Sequence, residues 1–285
     1  MLANSSSNDS HPPFPKMSYS HCLITRPSTI IYTTFIVINV VLFLPLFILV
    51  LYHGLQQWWK NCSSTMSHSD SFTYHLVIME LIGVCGCIIS FGGIYGGEIK
   101  AVKMGSTLFS FTWYGEGFFH ILTCAEQYLA VVHPINYRSL RNKRGIKIRN
   151  IILVCVWLLC SLGLSLAIKE NYIIMDSCII ILTITIVPFC SISVLRVLTQ
   201  SGPAEQGSER VNQSKQRAFY TIVAILGVIA LRLSWNVIFI VNTLEVISTN
   251  CIVMTCEVLF NLPSSLVLPL LFLQRAGKLV CCKNI

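Results

Sequence analysis

TIIYTTFIVINVVLFLPLFILVLY, residues 29–52, is a run of twenty-four residues without one charged side chain. A helix of that length reaches about 36 Å, enough to cross a hydrocarbon layer of roughly 30 Å. Six further stretches of mostly apolar residues follow, at 72–94, 105–132, 150–168, 177–198, 219–244 and 251–273. Together the seven use more than half of the 285 residues and leave no loop long enough for a separate domain. Composition agrees, with 54% of residues hydrophobic and 11% charged, against about 25% charged in an ordinary soluble domain. A soluble sphere has too little polar surface to cover so much apolar side chain. These observations exclude a soluble enzyme, a nucleic-acid binder and a disulfide-rich secreted module. They predict an all-α integral membrane protein: a seven-transmembrane-helix bundle over residues 29–273, with a tail at 1–28 and another at 274–285.

Orientation follows from the basic residues. With the N-terminus outside, the inner segments hold fourteen of the twenty Lys and Arg and the outer segments five, while Arg232 falls inside the sixth stretch. Cytoplasmic loops carry such an excess, so the N-terminus is expected outside the plasma membrane. Residues 1–22 are polar and lack the apolar core of a cleavable signal, so the first span is expected to export the tail itself. The tail holds two glycosylation acceptors, Asn4 and Asn8, each followed two residues later by Ser.

Most of the thirteen cysteines fall within the spans, where the side chain is ordinary packing material. Cys22, Cys178, Cys251 and Cys256 lie near the outer face. A bridge from Cys22 to the start of the last span is one possibility among them, because sequence alone assigns no pairs. Cys281 and Cys282, flanked by Lys278 and Lys283 just past the last span, read as lipidation sites.

The third span carries the most chemistry. Phe109, Trp113, Glu116, His120, Thr123 and Gln127 recur at steps of 4, 3, 4, 3 and 4, which places them on one helical face. An ionisable group at mid-membrane costs about 3 kcal/mol on insertion scales, so that face must look into the bundle. Glu80 near the centre of the second span and Arg232 in the sixth complete an expected intramembrane polar core of Glu80, Glu116 and Arg232. A structural ion pair that only fixes helix packing is the alternative. No nucleophile with a base beside it and no metal-ligand spacing occurs, so neither an enzyme activity nor a cofactor is expected.

The third span ends in Glu126-Gln127-Tyr128-Leu129-Ala130-Val131-Val132-His133-Pro134-Ile135-Asn136-Tyr137. This run resembles the rhodopsin-like G-protein-coupled receptors, whose third helix ends in an acidic-Arg-Tyr triplet followed by a loop of the form L-A-V-x-x-P-x-x-Y. Other landmarks fall in register with that family: Asn39 in the first span, Leu76 four before Glu80, Trp157 in the fourth and Pro188 in the fifth. Trp235 stands in the sixth, and Leu268-Pro269-Leu270-Leu271-Phe272 stands where the seventh carries N-P-x-x-Y. The chain is similar to a divergent, orphan-type member, because several family residues are exchanged. Gln127 replaces the triplet Arg, Glu80 the second-helix Asp, and Leu268 and Phe272 the Asn and Tyr of the seventh. Val237 replaces the sixth-helix Pro, Arg196 a fifth-helix Tyr, and Val102 a cysteine at the top of the third.

The resemblance implies a receptor that passes the binding of an extracellular small-molecule or lipid ligand to a cytoplasmic partner, a heterotrimeric G protein. The ligand cavity it implies is lined by Phe109, Trp113, Tyr114, Trp235 and Ile238 with Glu257 at the rim, an apolar and aromatic set suited to such a ligand. Phe109 stands where amine receptors carry an Asp, which argues against a biogenic amine. Glu126, Gln127, Tyr128 and Arg196 face the transducer, Arg196 offering a positive charge near Glu126. Glu80 and Glu116 fall near the family's sodium pocket, where a Na⁺ ion is the alternative to Arg232. The basic inner loops offer a landing site for a partner or for anionic membrane lipids. Two other readings remain: a rhodopsin-like fold that binds ligand without efficient G-protein coupling, and a transporter or channel with Glu80, Glu116 and Arg232 along its path.

Overall fold

A computed structural model describes residues 22–23, 25–60, 68–140, 142–168, 172–200, 209–245 and 251–281. Asn4, Asn8 and Cys282 lie outside the described residues, as does the side chain of Cys281. The described residues are all-α. Seven long helices occur among them: α1 (Ser28–Ile38, a wide turn at Asn39–Phe43, then Leu44–Lys60), α2 (His68–Gly96), α3 (Ile99–Val132), α4 (Lys143–Ile168), α5 (Tyr172–Gln200), α6 (Glu209–Glu245) and α7 (Cys251–Cys281). A short helix, Pro134–Leu140, joins α3 to α4.

Six of the seven are long and apolar enough to cross a membrane; α3 is not among them. Its 34 residues are ample in length, but its polar side chains dilute the apolar ones. The packing supplies the reason such a helix is tolerated. α3 touches α2, α4, α5 and α6, while the others pass contact from α4 through α5, α6 and α7 to α1 and on to α2. Glu116, His120, Thr123 and Glu126 are all buried, so its polar groups meet protein rather than lipid. The outside of the bundle is apolar. On α4, Ile151, Val154, Leu158 and Leu162 recur at steps of three and four and are all turned outward, the pattern of a helix face in contact with lipid rather than water.

Small residues let α2 and α3 approach backbone to backbone. A Cβ on Gly86 would lie 2.7 Å from the Gly105 carbonyl oxygen, and one on Gly93 would lie 2.7 Å from the Val102 nitrogen. Close approach of this kind is how helices gain dispersion energy where lipid offers no hydrophobic drive. The wide turn in α1 has a cause two residues on, at Pro45. A proline has no N–H, and its ring clashes with the carbonyl four residues earlier. The helix loosens, and the Leu44 N–H reaches back five residues to the Asn39 carbonyl. Prolines also occur inside α5 (Pro188) and α7 (Pro263, Pro269), whereas α6 runs unbroken through Trp235.

The end of the bundle that carries Cys22, Gly96 and Cys251 is here named the tail end, and the opposite one, with Glu126 and Arg149, the basic end. At the tail end Cys22 is disulfide-bonded to Cys251, which selects one pairing from the four outer cysteines. Cys178 and Cys256 are free thiols.

Candidate functional site

The α3 stripe points where its spacing predicts. Glu116, His120 and Thr123 are each at most 1% exposed, while Phe109, Trp113 and Gln127 are half-buried at the two ends of the stripe. Arg232 enters from α6 and meets this face at Glu116. Its Nη1 donates to Glu116 Oε2 at 3.2 Å, and its Nη2 donates to the Trp113 carbonyl at 3.2 Å. Its guanidinium carbon lies 3.2 Å from the centroid of the Trp113 ring. One guanidinium thus uses its charge, its donors and its flat face at once, a combination Lys cannot offer. Ser265 of α7 donates its hydroxyl to the other oxygen of Glu116. Three helices therefore meet at a single carboxylate.

Around this junction stand three more acids. Glu80 of α2 lies against Glu116 and Ser265. Asp176 of α5 faces the Trp113 indole, and Glu257 of α7 shares the field of Arg232 with Asp176 and both core glutamates. One cation serves four carboxyl groups, so the cluster is rich in acceptors. Removing one partner of a buried charge pair leaves the other uncompensated, which makes Arg232 the most consequential residue of the junction.

The residues assigned to the outer cavity do not all gather there. Trp113 lies under Arg232. Trp235 stacks on Phe260 with ring centroids 4.2 Å apart and planes 13° from parallel. Phe109 packs edge-on to Phe35 of α1, centroids 5.2 Å apart, and Glu257 joins through the charge cluster. Tyr114 and Ile238 stand apart from that set. Tyr114 is 2% exposed within the main apolar core, where Gly163 of α4 and Met175 of α5 adjoin it. Its position one residue past Trp113 turns it about 100° away from the stripe. Ile238, 45% exposed, is on the outside of the bundle.

Several buried polar atoms make no hydrogen bond within the protein, among them Glu80 Oε1, His120 Nε2, Thr123 Oγ1, Asn261 Oδ1 and Ser264 Oγ. Buried polar groups are seldom left so, and ordered water or an ion is the usual partner. Among the described residues no three His, Cys, Asp or Glu side chains are placed to hold a metal ion.

At the basic end Glu126 is held differently. Its Oε1 accepts from the Ser69 backbone N–H at 3.0 Å and from the Tyr137 hydroxyl at 3.0 Å. Arg149 of α4 lies in its field, and Arg196 of α5 is exposed. Tyr128 lies beside Phe189 and, with its hydroxyl 3.3 Å from His133 Nε2, next to His133. Arg149, Asp176 and Ser265 escaped the sequence reading. Asp176 sits one residue before the fifth apolar stretch, where a charge reads as the end of a span. Ser265 stands within an apolar run, and Arg149 is one of several cations between the third and fourth stretches.

No protein-family model matches the chain, and no curated protein is significantly similar to it.

Proposed function

We propose that the chain is a seven-span receptor of the rhodopsin-like, G-protein-coupled type, lying in the plasma membrane with the tail end outside. It converts binding of an extracellular small molecule or lipid into a rearrangement at the basic end. The observation that carries this reading is the double engagement of Arg232. The guanidinium rests on Trp113, which belongs to the aromatic set nearest the tail end, and it bonds to Glu116 in the polar core. A ligand that displaces Trp113 must also disturb the ion pair joining α6 to α3, and so shifts the population of α6 positions. Phe109, Trp113, Trp235, Phe260 and Glu257 are the contact residues in this reading. The oxygens of Glu80, Thr123, Asn261 and Ser264 that lack protein partners suit water or a hard cation such as Na⁺, with Arg232 competing for Glu116.

A second reading, ligand binding with weak coupling, has its own observation. Glu126 bonds to the start of α2 and to Tyr137 of the short helix, and Gln127 carries no charge with which to latch α6 or meet a G protein. A charge-assisted hydrogen bond is about twice as strong as a neutral one, so the wild type is expected to couple weakly. Gln127→Arg should raise nucleotide exchange on a G protein at equal surface expression. Strong exchange by the wild type, unchanged by the substitution, would overturn the weak-coupling reading; no exchange by either protein on any G protein would count against the receptor itself.

A further inference from the structure

The core of the tail end is completed by a residue that belongs to no long helix. Leu23 is 0% exposed and ranks among the largest fully buried side chains. It joins a cluster with Tyr32 and Phe35 of α1, Cys87 of α2, Val102 of α3 and Val258 of α7, and Phe109 packs at the edge of that cluster. Side chains from four helices thus form one apolar socket, and its remaining member comes from the segment that precedes α1.

The backbone of that segment is pinned on both sides of Leu23. The Leu23 carbonyl accepts from Thr29 Oγ1 at 2.9 Å, and the Cys22 carbonyl accepts from Thr25 Oγ1 at 2.8 Å. Cys22 is covalently joined to Cys251 at the start of α7. Burying one leucine between separate molecules is too weak to last, but a tether turns it into an intramolecular event at high effective concentration. Among the described residues the backbone bonds that lead into α1 go to Thr25 and Pro27 rather than to Leu23, so its departure opens the socket without melting a span.

We infer that Cys22–Leu23 is a resident ligand of this socket: an aliphatic plug, held in place by the Cys22–Cys251 tether, which closes the gap between α1, α2, α3 and α7. An external ligand that uses this entrance must itself be apolar and must displace Leu23 or pack onto it through Phe109. That functional consequence rests on the receptor reading; the occupancy does not.

The test uses the full chain in lipid nanodiscs and a small, uncharged thiol reagent, with modification resolved cysteine by cysteine by mass spectrometry. Cys87 reports on the socket. Cys160, 0% exposed in the main core, reports on the rest of the bundle. Leu23→Ala should speed modification of Cys87 by about thirty-fold, as expected when a buried leucine is truncated and local opening becomes easier, and leave Cys160 unchanged. Leu23→Met should keep the wild-type rate, and the double variant Cys22→Ser/Cys251→Ser should speed Cys87 alone. An unchanged Cys87 rate in Leu23→Ala overturns the proposal. A parallel rise at Cys160 also overturns it, because Leu23 is then an ordinary core residue. The readout needs no G protein, so failure of the receptor reading leaves it intact.

Discussion

Two glutamates on α3, Glu116 and Glu126, stand ten residues and about 15 Å apart along one helix axis and are held in opposite ways. Glu116 is fully buried, with a guanidinium at 3.2 Å on one oxygen and a serine on the other. Its bonds join α3 to α6 and α7. Glu126 Oε1 takes two neutral donors, a backbone N–H and a phenol, both at 3.0 Å, and Arg149 lies in its field. Its bonds join α3 to α2 and the short helix. An ionic contact between α3 and α6 therefore lies in the middle of the bundle, at Arg232 and Glu116. The difference teaches that two carboxylates on one helix can tie different neighbours by different kinds of bond. Their strengths differ too: away from water, breaking a charge pair is far more costly than breaking a neutral bond.

The comparison can be broken most forcefully at Arg232. Arg232→Met alone should lower the thermal stability of the purified protein the most, by about 3–5 kcal/mol, because Glu116 keeps its place without a cation. Arg232→Met combined with Glu116→Gln should recover much of that loss. Plain additivity in this double-mutant cycle would sink the idea that the two act as one unit. At the basic end the effect should be smaller. Tyr137→Phe removes one hydrogen bond to a carboxylate that keeps its Ser69 donor, and about 1 kcal/mol is expected. Combined with Arg232→Met, it should add to within about 0.5 kcal/mol, since well-separated sites seldom couple. A larger interaction energy would mean that the two ends of α3 communicate in the resting state. The smallest effect belongs to Ile238→Ala, expected within about 0.5 kcal/mol in stability and without influence on ligand affinity. A marked loss of affinity would return Ile238 to the cavity and argue for a rotated α6.

Much of this arrangement is legible in the residue order. The apolar stretches announce the helices because only a helix satisfies its own backbone bonds inside lipid, and six of the helices meet that description. The stripe of Glu116, His120 and Thr123 announces an inward face because a period of 3.6 residues puts these side chains on one line. The third stretch is the instructive exception. Read alone, it is another apolar span; in the bundle it is the helix that need not be apolar, since α2, α4, α5 and α6 enclose it.

What only the tertiary structure decided is who meets whom. Sequence separation does not encode depth and azimuth across helices, so nothing along the chain distinguishes Ser265 from its neighbours as a donor to Glu116. Nor does it bring Arg149 into the field of Glu126, or join Cys22 to Cys251 across 229 residues. Tyr114 and Ile238 make the same point from the other side. Both are large and apolar enough to line a cavity, yet one turns into the core and the other outward to the surface of the bundle. A side chain's type determines which environments it tolerates. The rotation of its helix, set by all the neighbouring contacts together, decides which one it receives.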